Sequence, residues 1–149
     1  MRLLILGGTK FLGRATAAHA LAAGHEVTCA ARGTSGTVAE GARLVRVDRS
    51  EPGALAALDG TFDAVIDVSS TPSHIRAALA GLAGRTGHWT FVSTASVYAD
   101  AATPGQRAET ALTLPPAPPD LDDPAADAEA YGRCKVSGEQ AVLAAGGPA

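Results

Sequence analysis

The chain has few aromatic residues and almost no sulfur. Aromatic side chains make up 4% of its 149 residues, with one Trp and one Met, although 46% of the residues are hydrophobic. The interior must then be built from Ala, Val and Leu, which suits helices packed closely on a parallel sheet. A chain of 149 residues is enough for one domain with a real core. The two cysteines, Cys29 and Cys134, show no metal-ligand spacing and outline no disulfide framework, so the expectation is no metal site and a reducing, cytoplasmic setting. No apolar run is long enough to span a bilayer, and Leu3 to Leu6 is too short for a signal-peptide core. A net charge of −3 leaves no footprint for nucleic acid.

What the chain does have is a strand that ends in glycines and opens a helix. Leu3 to Leu6 reads as a buried parallel strand, and the pattern turns helical from about Phe11. Gly7 allows a tight turn, and Gly13 lets the helix pack close to the strand. Free N–H groups at a helix start face a pyrophosphate in such turns. The cofactor-facing residues expected here are Gly7, Thr9, Lys10, Phe11, Leu12 and Gly13. Lys10 stands where the dinucleotide fingerprint has its middle glycine. Its side chain either crowds the pyrophosphate or turns toward the adenosine end.

Along the chain, the first helix is expected from Phe11 to Ala23, with Phe11, Ala15, Ala18 and Leu21 roughly along one face and Gly24 ending it. Glu26 to Ala31 reads as strand two. Arg32 follows it, where a dinucleotide fold often carries an acid for the ribose 2′-hydroxyl. An arginine there offers a fork for a 2′-phosphate, hence a preference for NADP. The plain alternative is a solvated loop arginine, and Arg14 and Lys10 are rival phosphate partners. Thr34 to Gly41 is a polar turn. Strand three, Arg43 to Val47, ends at Asp48, which either accepts from an adenine amino group or caps the turn before a short helix at Glu51 to Leu58.

Phe62 to Val68 is strand four, and Asp67 inside it must be paired or sit at the sheet's end. A helix is expected from Pro72 to Ala83, with His74 at its surface. Strand five, His88 to Ser93, runs on into Thr94 to Tyr98. Six of the nine prolines lie in the segment 99–124, a loop of the length found in lids and binding segments. Asp123-Pro124 marks the start of a last helix that runs to Ala145 and ends at Gly146-Gly147-Pro148. The pattern is α/β: a doubly wound, Rossmann-like parallel sheet of about five strands.

The last helix carries Tyr131-Gly132-Arg133-Cys134-Lys135. Positions i and i+4 share a helix face, so Tyr131 and Lys135 project together. An ammonium near a phenol favours the phenolate, and such a pair can take or give a proton. Taken with the glycine turn and Phe91-Val92-Ser93-Thr94-Ala95-Ser96-Val97-Tyr98, and with Glu139 after the pair, the chain resembles the short-chain dehydrogenase/reductase superfamily. It is most similar to the extended branch of NAD(P)-dependent sugar epimerases and dehydratases. Lys10 and Arg32-Gly33 look most like an atypical subgroup that includes chloroplast stem-loop-binding proteins and bacterial reductases.

The resemblance implies that Tyr131 is the catalytic acid/base, that Lys135 eases its proton loss and binds the nicotinamide ribose, and that Thr94 holds the reacting oxygen. Ser93 and Ser96 are alternatives to Thr94. The plain alternatives are a half-buried helix tyrosine and a turn hydroxyl. The implied cofactor is NADP, with NAD as the alternative. The implied partner is a small-molecule substrate, such as a nucleotide sugar or another carbonyl or hydroxyl compound.

Family members continue beyond the Tyr131 helix through further strands and a substrate-binding region. The expectation for 1–149 is therefore the nucleotide-binding part alone, with no C-terminal substrate domain. Strand five would be an open edge, where a homo-oligomer could form. Two functions follow: an NAD(P)-dependent oxidoreductase or epimerase working by hydride transfer, or an NADP-binding module without turnover. RNA binding, suggested by the plant members' label, is disfavoured by the acidic balance.

Overall fold

The computed structural model describes residues 1–146. Five strands, β1 (Arg2–Leu6), β2 (Glu26–Ala31), β3 (Arg43–Arg46), β4 (Phe62–Asp67) and β5 (Thr86–Phe91), form one sheet. Three α-helices accompany it: α1 (Phe11–Ala22), α2 (Pro72–Gly81) and α3 (Ala130–Ala144). The strand order is β3-β2-β1-β4-β5, and every pairing is parallel. The chain starts mid-sheet, winds out to β3 and returns on the other side of β1. The order reverses between β1 and β4, and ligands of such sheets bind at the carboxyl ends beside that point.

Both faces of β1 are covered, which is why its sequence is a continuous apolar run. Leu4 and Leu6 pack with Ile75, Ala78 and Leu82 near α2 and with Val142 of α3, whereas Leu3 and Ile5 join Ala17 and Ala20 of α1. The buried face of α1 is Gly13, Ala17 and Ala20. This corrects the expected apolar face: Ala15 and Ala18 are exposed, Phe11 is 93% exposed, and only Leu21 is half-buried. The physical reason is close approach. A Cβ on Gly13 would overlap the Gly7 carbonyl oxygen, so the helix turns its side without a side chain to the strand. Gly7 itself has φ +103°, a conformation that favours glycine.

Other boundaries move for local reasons. The expected helix at Glu51 to Leu58 is one 3₁₀ turn, Ala54–Ala57. The segment 34–41 is not purely polar, because Ala39 is buried and Val38 packs against the α1-side core. β5 ends at Phe91 rather than Ser93. α3 begins at Ala130, not at Pro124. Asp123 accepts from the Ala125 amide at 2.9 Å, and Asp127 accepts from the Glu129 and Ala130 amides at 2.8 Å, so these carboxylates hold 123–129 in turns. Of the expected terminator, Gly146 lies at φ +73°, while Gly147 and Pro148 fall outside the described residues.

The segment 99–124 holds neither helix nor strand beyond one bridge between Tyr98 and Thr113. It is nonetheless tied down. The Ala117 amide donates to the Arg133 carbonyl at 3.1 Å and to Ser137 Oγ at 2.9 Å on α3. Asp122 accepts from the Ser73 amide at 2.7 Å and the Ser73 hydroxyl at 2.5 Å in the first turn of α2. Among the described residues, no helix is long and apolar enough to cross a membrane. Since the α1 contact tolerates no Cβ, Gly13→Ala is expected to cost about 1–3 kcal/mol through overpacking. A urea titration would read this as a lower midpoint at unchanged slope, and an unmoved midpoint would refute it.

Candidate functional site

A cavity of about 420 Å³ opens at the carboxyl ends of the central strands. Its walls include Gly7, Thr9 and Lys10 from the β1–α1 turn, Arg32 after β2, Asp48 and Arg49 after β3, and Ser69 after β4. Five of the expected cofactor-facing residues thus meet in one place. Phe11 and Leu12 turn exposed side chains outward, and what they offer is their main-chain amides, unused at the start of a helix. Lys10 is the N-cap residue in extended conformation, and its side chain makes no capping bond. The Asp48 carboxylate accepts from the Ser50 amide at 3.0 Å. That bond, the Ser50 side chain, Arg32 and His74 hold Asp48 below the ordinary carboxylate range. Asp48 therefore caps a turn and lines the cavity at once. His74, expected at the helix surface, is half-buried there on the cavity wall, 3.4 Å from Ser50 Oγ. Burial foremost, and then Arg49, push its pKa down.

The second group is assembled by α3. Lys135 is 2% exposed. Its ammonium donates to the carbonyls of Ser69 and Val92, each at 2.6 Å, and lies 4.7 Å from the centre of the Phe91 ring. It is 6.0 Å from the centre of the Tyr131 ring, and Tyr131 is 39% exposed. Burial lowers the Lys135 pKa, while Asp67 and Glu139 oppose that shift. Thr94 caps a short 3₁₀ turn, Ala95–Val97, accepting from the Ser96 amide at 3.2 Å. α3 presses on this turn: a Cβ on Gly132 would overlap the Ser96 carbonyl oxygen. The Tyr131 and Thr94 segments are therefore in contact. Of the alternatives to Thr94, Ser93 is engaged, donating to Glu139 at 2.5 Å.

Ser69 joins the two groups. It lines the cavity and its carbonyl holds Lys135. The residues expected at a nucleotide turn line the cavity, and the Lys135 of the Tyr-x-x-x-Lys pair is tied to its wall through the Ser69 carbonyl.

Residues 3–81, just over half of the chain, match the model of the NAD dependent epimerase/dehydratase family. The chain belongs to this family. No curated protein sequence matches it. Among solved structures, a UDP-galactose 4-epimerase aligns with a TM-score of 0.75 at 20% identity, over 94% of this chain and 50% of its own. MoeE5, solved with UDP-glucose and NAD, aligns at 0.71 and 18% identity, over 97% of this chain and 49% of its own. The dTDP-glucose 4,6-dehydratase of Bacillus anthracis str. Ames, solved with NAD, aligns at 0.71 and 16% identity, over 97% and 50%. At these identities the likeness is one of fold. This epimerase/dehydratase-family chain spans about half the length of the solved chains it matches.

Sequence reasoning missed four parts of the site. Arg49 donates to the Ser69 hydroxyl and lies 3.5 Å from Asp67. Ser69 carries both groups, as described. His74 and Val68 complete the walls. The only signals were the charge beside Asp48 and the hydroxyl just past strand four. A fifth residue, Gly8, has a packing role: a Cβ there would overlap the Cys29 sulfur.

Neither cysteine of this family member is poised as a nucleophile. Burial pushes the Cys29 thiol up to about 11 and raises Cys134 as well. At pH 8 Cys29 is expected to react with a thiol reagent on the order of 100-fold more slowly in the native protein than in the unfolded chain, and Cys134 more slowly as well. Rapid labelling of either thiol in the native state would contradict this.

Proposed function

We propose that this chain binds a nicotinamide dinucleotide at the cavity and serves epimerase, dehydratase or reductase chemistry through Tyr131. The observation that carries the reading is the Ser69 link: Gly7, Thr9, Lys10, Arg32 and Asp48 line the cavity together with Ser69, whose carbonyl also holds the Lys135 ammonium. The residues fit a diphosphate. The α1 amides are free, and the space where a Gly13 side chain would stand is filled by the Gly7 carbonyl, which brings helix and turn together. In the MoeE5 and dehydratase structures the bound dinucleotide is NAD. Arg32 supports NADP here, with its guanidinium on the 2′-phosphate and Asp48 accepting from the adenine amino group.

The nicotinamide, when bound, accepts or supplies the hydride. The chain's own residues manage the proton. As a carbinol C–H is lost as hydride, the Tyr131 phenolate takes the hydroxyl proton, and on the return step the phenol gives it back. Lys135 keeps a positive charge beside that phenolate. Thr94 orients the reacting oxygen. By likeness to proteins solved with UDP-glucose, the substrate class is a nucleotide sugar or a related carbonyl or hydroxyl compound. A second reading, uptake without turnover, is favoured by one observation: the hydrogen bonds of the Lys135 ammonium go to main-chain carbonyls rather than to open space.

Two measurements test these readings. Trp89 fluorescence or calorimetry should detect NADP or NAD binding, and Arg32→Asp should shift the preference toward NAD by about tenfold. Binding of neither nucleotide would end both readings, and an unchanged ratio would remove Arg32 from the site. Where turnover is measurable, Tyr131→Phe should lower it by about 10²–10⁴-fold with binding retained. Undiminished turnover would take the proton step away from Tyr131.

A further inference from the structure

Asp67 closes β4 and is fully buried. Its two oxygens are used unequally. Oδ1 accepts from the Ser69 amide at 2.9 Å and from the Ser69 hydroxyl, and it faces Arg49 Nη1 at 3.5 Å. Oδ2 has no hydrogen-bond partner among the described residues. A carboxylate in such a place needs opposite charge near it. Two cations are at hand. One is Arg49, with its side chain 14% exposed on the cavity wall. The other is Lys135.

The main chain links Asp67 to Lys135 more tightly still. Lys135 donates to the carbonyls of Ser69 and Val92. The Ser69 amide donates to Asp67 Oδ1, and the Val92 amide donates to the Asp67 carbonyl at 2.9 Å. Four residues thus close a ring, and Asp67 stands behind both acceptors of the ammonium.

We propose that Asp67 is a positioning residue that holds Lys135 beside Tyr131 through Ser69 and Val92, and that it divides its charge between Lys135 and Arg49. The importance of Lys135 in this inference rests on the function proposed above. One consequence is coupling between the cavity and the Tyr–Lys pair. An anion in the cavity that draws Arg49 away leaves more of the Asp67 charge to Lys135. The charge on Lys135 therefore follows what occupies the cavity. The charged and titratable groups that face Lys135 are Asp67 from β4, Glu139 and Tyr131 from α3, and Arg49 behind Asp67 from the loop after β3. β5 contributes the Phe91 ring, and Val92 just past it contributes a carbonyl. Burial pulls the lysine pKa down, and Asp67 and Glu139 pull it up.

The chain has two lysines, Lys10 and Lys135, so isotope-labelled lysine side chains give two resonances, assigned with Lys10→Arg. Their pH titration is the test. Asp67→Asn should lower the Lys135 midpoint by about one pH unit or more, since one raising charge is lost. Arg49→Met should raise it, since a repelling charge is lost and Asp67 is released. A general loosening of the fold would not move the two variants in opposite directions. An unmoved midpoint in Asp67→Asn, or shifts of the same sign in both, would overturn the proposal. If Asp67→Asn does not fold, Arg49→Met decides alone: an upward shift at an unchanged urea midpoint supports the pairing and any other result overturns it. Failure of wild type to bind either dinucleotide would remove the proposed function, while the lysine titration would still report on Asp67.

Discussion

One buried ammonium ties together the carboxyl ends of two neighbouring strands. Parallel strands leave carbonyls at that edge with no further strand residue to answer them. Here the Lys135 side chain answers one beyond β4 and one beyond β5, while resting on the Phe91 ring. Burying a cation is costly unless it is hydrogen-bonded and an opposite charge stands near. The two carbonyls take two of its three N–H groups, and the Asp67 carboxylate supplies the nearby charge. The same bonds seat α3 on the sheet, which brings Tyr131 to the Thr94 turn and puts Ser69 in the cavity wall. Without them the cavity and the Tyr–Lys pair would be separate features of one sheet.

The remaining geometry depends on missing side chains. Gly13 against Gly7, Gly8 against Cys29 and Gly132 against Ser96 are contacts in which a Cβ would overlap its neighbour. The poverty in aromatics belongs to the same design, because Ala17 and Ala20 let α1 lie close to β1. Close packing of α1 sets its N-cap residue, Lys10, in the wall of the cavity. Charge is then distributed around that mouth: Lys10, Arg32 and Arg49 stand against Asp48.

Much of this was legible in the strand pattern and the glycine spacing. Continuous apolar runs, glycine at the first turn and proline at the start of α2 are local signals, and they gave the strand sequence, the parallel sheet and the turn residues. Where local signals compete, a short segment does not decide between them. Asp123 and Asp127 can start a helix or hold turns, and they hold turns, so α3 begins late. The outer face of α1 carries Phe11, Ala15 and Ala18, which on hydrophobicity alone should have been inward. Hydrophobicity does not register that a helix can approach a strand more closely on glycine.

The amino-acid sequence determined the strand order along the chain, the glycine turn after β1, the Tyr131–Lys135 spacing and membership of the epimerase/dehydratase family. Those are properties of short segments, and segments of a few residues carry their own backbone preferences. Tertiary structure alone decided that Asp67, Ser69, Arg49 and Lys135 would meet, because they come from three distant parts of the chain. A buried charge selects its partners by distance in space, and that distance exists only once the sheet has closed around it.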